Sequence, residues 1–163
     1  MIKKFFCLLG MFFIFSGCAT INIPHYIKEE YSYKKKFDAD YEIVRKQIKN
    51  ILQSLHWEIE GEVEPSVFET VKDIVHPENQ QTLIFSKVRQ SGFFVGSQYA
   101  RVNVFLRGYK KEWTEIEIRY VSIFSIVFQR FTKYRQDRLV QKVFTQMQKN
   151  LMALPDTDGH LSP

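Results

Sequence analysis

Four carboxylates spaced two residues apart are the first feature of this sequence with chemical potential: Glu58, Glu60, Glu62 and Glu64. Paired carboxylates perform acid–base catalysis or hold calcium. Trp57, Ile59, Gly61 and Val63 alternate with them. Successive side chains of an extended chain point to opposite faces, so this period predicts a strand with one apolar and one acidic face. An acidic face of this kind is ordinary solvated sheet surface. The four glutamates are expected to repel one another mildly, or to pair with Lys72 or Lys87. The four histidines, His25, His56, His76 and His160, show no metal-ligand spacing. His56 falls at a helix-to-strand junction and reads as structural. No phosphate-binding glycine loop and no nucleophile elbow occurs. The expectation is a chain that is not an enzyme, with no catalytic residue, no metal and no cofactor. The basic residues are dispersed and the net charge is only +5, so no nucleic-acid partner is expected.

The remaining reactive residues are two cysteines, too few for a disulfide framework. Met1–Gly17 reads MIKKFFCLLGMFFIFSG. Lys3 and Lys4 form a charged start, and Phe5 to Phe15 form an apolar run too short to span a bilayer but suited to a signal-peptide core. Phe15-Ser16-Gly17-Cys18 follows. Small residues before a cysteine, directly after such a core, resemble the lipobox of bacterial lipoproteins, with Phe15 where that family usually has Leu, Val or Ile. The resemblance implies cleavage after Gly17 and lipidation of Cys18. The acyl chains would then be a stable membrane anchor, each buried methylene adding roughly 0.8 kcal/mol. Ala19 rather than Asp after the cysteine implies, by resemblance to enterobacterial sorting, the periplasm-facing side of the outer membrane if the organism is diderm.

The rest of the chain must position whatever is anchored. Residues 18–37 read as the lipidated cysteine and a tether, with Pro24 and the run Lys34-Lys35-Lys36. A globular unit is expected over 38–154 and a frayed tail over 155–163. Tyr41, Val44, Ile48, Ile51, Leu52 and Leu55 recur at helical steps, with Asp38 or Asp40 as N-cap. After the Trp57–Val63 strand, further strands are expected over Val67–Asp73, Thr82–Arg89, Ala100–Gly108 and Trp113–Val121. Gln90–Tyr99 reads as a loop. Val102, Val104 and Leu106 share one face, as do Thr114, Ile116, Ile118 and Tyr120. Arg101 and Arg107 face the polar side opposite Glu115, Glu117 and Arg119, so cross-strand charge pairs are expected. A last helix runs from about Asp137 to Leu154, and Pro155 ends it. The predicted class is α+β: a two-layer sandwich with an antiparallel sheet of about five strands and both helices on one face.

In a five-strand meander the 90–99 loop, the exit of the last strand at 122 and the start of the first helix share one end. The tether leaves from that end too. The end is rich in Phe beside Arg and Lys, a composition that suits a membrane interface or a partner groove. The expected contact surface is Phe93, Phe94, Phe124, Phe128 and Phe131 with Arg130, Lys133 and Arg135. The competing reading is that these Phe side chains fold inward and cap the sandwich. Of the 15 Phe, Phe5, Phe6, Phe12, Phe13 and Phe15 belong to the signal segment.

Lipidated cysteine, tether and small helix-and-sheet domain together resemble the BamC-type lipoproteins of the outer-membrane β-barrel assembly machinery, whose globular domains are helix-grip folds. The resemblance covers 40–151 in element order, with one domain where that family has two and a shorter tether. It implies a non-enzymatic envelope module, anchored through its acyl chains and docking on an envelope protein. A carrier or sensor of an apolar ligand held between helices and sheet is the alternative. A structural component of a secretion apparatus is a third reading.

Overall fold

The computed structural model describes residues 21–68, 80–93, 96–109, 112–126 and 129–154. Its elements are β1 (Tyr33–Phe37), α1 (Tyr41–Ser54), β2 (Ile59–Val63), β3 (Gln81–Ser86), β4 (Arg89–Phe93), β5 (Gly96–Tyr109), β6 (Trp113–Ile126), β7 (Gln129–Lys133) and α2 (Asp137–Met152). The class is α+β, with one antiparallel sheet of seven strands rather than about five.

The 14-residue strands β5 and β6 form the centre, paired without interruption from Gly96↔Ile126 to Tyr109↔Trp113. Shorter strands line this ribbon end to end. β3 pairs with the later half of β5 and β4 with its first residues. On the other side β1 pairs with β6 at 114–118 and β7 with β6 at 122–126. β2 is the outer neighbour of β3. One end of the ribbon, here called the tip, carries the β4–β5 and β6–β7 turns. The other end, the base, carries the β5–β6 turn.

The period-two faces form as their spacing predicts. Val102, Val104 and Leu106 join Ile116, Ile118 and Tyr120 in one core with Val44, Ile48, Ile51 and Leu52 of α1 and Val140, Val143 and Met147 of α2. Burying each large aliphatic side chain there contributes roughly 1.5–3 kcal/mol. Asp40 is the N-cap of α1, its carboxylate accepting from the Glu42 N–H at 2.8 Å. A side chain at Gly108 would meet Tyr41, with a Cβ 2.9 Å from the ring, so glycine is what lets the first turn of α1 lie on β5. α1 closes on a Schellman motif. The Trp57 N–H donates to the Leu52 carbonyl and the His56 N–H to that of Gln53. His56 holds the left-handed position with φ 62°, where glycine is usual. His56 is thus a structural residue at the helix-to-strand junction.

Three expectations are corrected. Gln90–Tyr99 is not a loop: β4 and the start of β5 occupy most of it as a hairpin. The expected strand at Val67–Asp73 begins instead as a 3-10 turn over Pro65–Val67, and the rest of it lies outside the described residues. β2 pairs directly with β3 and runs antiparallel to it, which reverses the inferred direction of α1. Its N-terminal end is at the base, where the Thr114 hydroxyl donates to the Ala39 carbonyl at 2.9 Å.

The third correction is the tether. Over 21–37 the chain is part of the domain. β1 enters the sheet, and the residues before it cross the face opposite the helices. Ile23 and Ile27 are buried there against Val121, with Ile21, Tyr99 and Ile123 packed around them. A lysine-rich stretch resembles a linker because alternate residues of β1, Lys34 and Lys36, are solvated while Tyr33, Lys35 and Phe37 turn toward the sheet's helix side.

Candidate functional site

The four glutamates do not share a face. A register shift between Ile59 and Gly61, a β-bulge, turns the strand over partway along. Glu58 binds exposed Lys87 at 2.8 Å, and Lys87 holds its carboxyl below the ordinary carboxylate range. Glu60 reaches Arg101 at 3.2 Å on the face opposite the helices. Glu62 turns to α1 and pairs with Lys49 at 2.6 Å and Arg45 at 2.7 Å. Partial burial pushes Glu62 up, but the hydrogen bonds from Lys49 and Arg45 outweigh it and hold the carboxyl low. Among the described residues no three His, Cys, Asp or Glu side chains converge as a metal site.

The expected charge pairs of β5 and β6 form, but on a covered face. Glu117 lies fully buried between Arg119 at 2.6 Å and Arg107 at 3.0 Å, with Lys34 at 3.7 Å. Arg107 also binds Glu115 at 2.9 Å. The cover is the N-terminal segment. Arg119 donates to the Tyr26 hydroxyl at 2.9 Å and to the Ile27 carbonyl at 3.1 Å. Asn103 donates to the His25 carbonyl at 3.0 Å. Phe68 stacks on Tyr26 at 5.3 Å and closes the layer from the far side. Sequence periodicity exposes the charge alternation but gives no sign that a second apolar strap, Ile21, Ile23 and Ile27, would bury it.

This strap brings the start of the described chain toward the tip. Ile21 packs in the cluster of Tyr99 and Ile123, which face each other three residues from the end of the β5–β6 ladder. Cys18 precedes Ile21 by three residues, a reach of about 10 Å when extended. The tip itself is defined by register: Phe93 lies opposite Gly96, Gly96 opposite Ile126, and Ile126 opposite Gln129. Phe94 and Phe128 lie outside the described residues. Phe124 and Phe131 are directly opposed across β6 and β7. Phe124 is half-buried and Phe131 is 54% exposed. Arg130, exposed, is opposite Ser125. Lys133 sits at the far end of β7, opposite Ser122. Arg135 is drawn away, to Asp137 at 3.5 Å and the Tyr33 hydroxyl at 3.2 Å. The expected surface therefore divides. Phe93, Phe124, Arg130 and Phe131 gather at the tip, while Lys133 and Arg135 lie nearer the start of α2.

The carrier alternative called for space between helices and sheet without naming its lining, and a half-open cavity of about 460 Å³ lies there, between the end of α1, the start of α2 and the tip half of the sheet. Its apolar lining comes from Trp57, Tyr120 and Leu139, and Trp57 meets Tyr120 edge-on at 6.4 Å. Arg89 and Lys142 contribute the cations, and His56 and Gln136 stand at its helix ends. The cavity exists because neither helix extends over the tip half of the long β5–β6 ribbon. Only the unexpected length of those strands creates it, so the sequence elements as first bounded left no room for it.

No helix among the described residues is long and apolar enough to cross a membrane. No protein-family model matches the chain, and no curated protein matches it.

Proposed function

We propose that this chain is a membrane-anchored envelope lipoprotein, periplasm-facing on the outer membrane, and that it acts as a non-enzymatic docking module in outer-membrane protein assembly or envelope maintenance. The observation that carries the reading is the course of the strap. It supports an anchor at Cys18 on the same end of the domain as the Phe-bearing tip. An acyl chain so placed holds Phe131 and Arg130 near the headgroups, where aromatic and basic side chains are most favourable. The helix-and-sheet layering is compatible with the helix-grip likeness of BamC-type domains, and the docking partner is then an envelope protein. The test is photo-crosslinking in intact bacteria from residue 131 at the tip and, as control, from residue 113 at the base. Adducts with lipid or membrane proteins from 131 alone support the reading. Equal adducts from both ends, or none from 131, would sink it.

A second reading is favoured by the cavity. A carrier or sensor of an apolar ligand needs several hundred Å³ between helices and sheet, and about 460 Å³ is present there. Co-purifying lipid detected by mass spectrometry would support this reading over a docking role, and a ligand-free protein would favour docking.

A further inference from the structure

The cavity has a charge character that an apolar ligand would not use. Two cations line it, Arg89 from β4 and Lys142 from α2, and no carboxylate does. Among the described residues neither cation has a carboxylate partner. Arg89 instead donates to a neutral acceptor, the Leu55 carbonyl, at 3.3 Å. The Arg89 guanidinium also stands 5.6 Å from the Trp57 ring. Most other basic side chains of this domain that approach the sheet are paired with acids, as Arg45, Lys49, Arg101, Arg107 and Arg119 are. Lys35 and Lys36 of β1 also lack an acid, but Lys35 binds Gln148 at 3.2 Å and Lys36 stands 3.9 Å over the Trp113 ring.

Trp57 forms the wall beside Arg89. It is 5% exposed and lines the cavity, yet its Nε1 is buried with no hydrogen-bond partner among the described residues. A buried donor left unpaired costs roughly 1–3 kcal/mol, so buried indole N–H groups are usually satisfied. The start of α2 adds to the same corner. Its N-cap, Gln136, gives no side-chain cap to the helix, and Gln136 and Leu139 both line the cavity. The first turn of that 16-residue helix carries Asp137, whose carboxylate already offsets its positive end, so an anion there would depend on Arg89 and Lys142.

We propose that this cavity binds a small organic anion with a flat apolar body: Trp57, Tyr120 and Leu139 contact the body, while Arg89 and Lys142 hold the anionic group. The proposal rests on the carrier or sensor reading and adds the ligand's charge to it. Sulfonate, carboxylate and phosphate share the required chemistry of several acceptor oxygens and a full charge.

The test uses the full chain carrying Trp113→Phe, which leaves Trp57 as the sole indole. Two probes of one shape are titrated, dansylate, which is anionic, and dansylamide, which is neutral. Energy transfer from Trp57 reports occupancy. Dansylate should saturate at one per chain and bind roughly ten- to a hundredfold more tightly than dansylamide. Arg89→Gln with Lys142→Gln should abolish that difference while the chain stays folded, with only a small drop in melting temperature, since both side chains are exposed. Equal affinity for both probes, or dansylate binding that survives the double substitution, overturns the anion proposal and leaves the apolar carrier standing. No saturable transfer with either probe overturns both.

Discussion

Replacing Glu117 by Gln should cost the domain about 3–5 kcal/mol, because it leaves buried cations without their counter-charge. The carboxylate is fully buried and accepts from Arg119 at 2.6 Å and Arg107 at 3.0 Å. Lys34 is a third cation at 3.7 Å. Glu115 is the internal control. It lies two residues away on the same strand face, is partly exposed, and shares one of the same cations, Arg107, at 2.9 Å. Arg107 keeps Glu117 when Glu115 is replaced by Gln, so that change should cost clearly less, about 1–2 kcal/mol. Urea unfolding followed by circular dichroism measures both. With an unfolding slope of about 1–3 kcal/mol per molar, a loss of 3 kcal/mol moves the midpoint by about 1 M or more. Replacing Glu117 and Arg119 together by Leu should recover much of the loss, because a buried pair is often exchanged for apolar side chains at little net cost. Equal midpoints for Glu117→Gln and Glu115→Gln would refute the argument that the strap over 21–31 makes this face an interior.

Three further outcomes follow from the same geometry. Glu62 has its carboxyl held low in the folded state, so its contribution is present above the ordinary glutamate value of 4.5 and is lost as pH falls through the folded value. Thermal melting of Glu62→Gln should therefore match the parent in strong acid and fall below it at neutral pH. His56→Gly should raise stability by about 1 kcal/mol by removing the left-handed strain at the end of α1, read as a higher denaturation midpoint. Gly96→Ala should destabilise the tip by about 1–3 kcal/mol, because a Cβ there runs into the Ser125 carbonyl oxygen, and hydrogen exchange should rise in β4 and β7 before it does in the core.

Much of the helix-side core was legible because its residues obey one local period. Tyr41 to Leu55 keep a helical stripe, and Val102 to Leu106 and Thr114 to Tyr120 keep a strand's alternation, so each face could be assigned without knowing its neighbour. The failures share a different cause. Lys34-Lys35-Lys36 carries no sign of pairing, because pairing with β6 is made by backbone groups. The bulge after Ile59 breaks an alternation that the composition presents as unbroken. Ile123 to Ile126 and Gly96 to Tyr99 extend β6 and β5 with residues of mixed character, half-exposed on both faces, and periodicity weakens where neither face is fully buried. The candidate tip was legible as a group of Phe residues on adjacent turns. The route that brings the N-terminal segment to it was not, since it depends on Ile21, Ile23 and Ile27 finding Val121, about a hundred residues away. The cavity's position and lining were not legible, because its shape is set by where two helices stop over a longer sheet.

The most direct test of the proposed role is the mass of the chain extracted from the membranes of a bacterial host. Processing as a lipoprotein predicts a mature form that begins at Cys18 and carries the added mass of its acyl chains. A membrane-extracted chain that begins at Met1, or a Cys18 of unmodified mass, would contradict it.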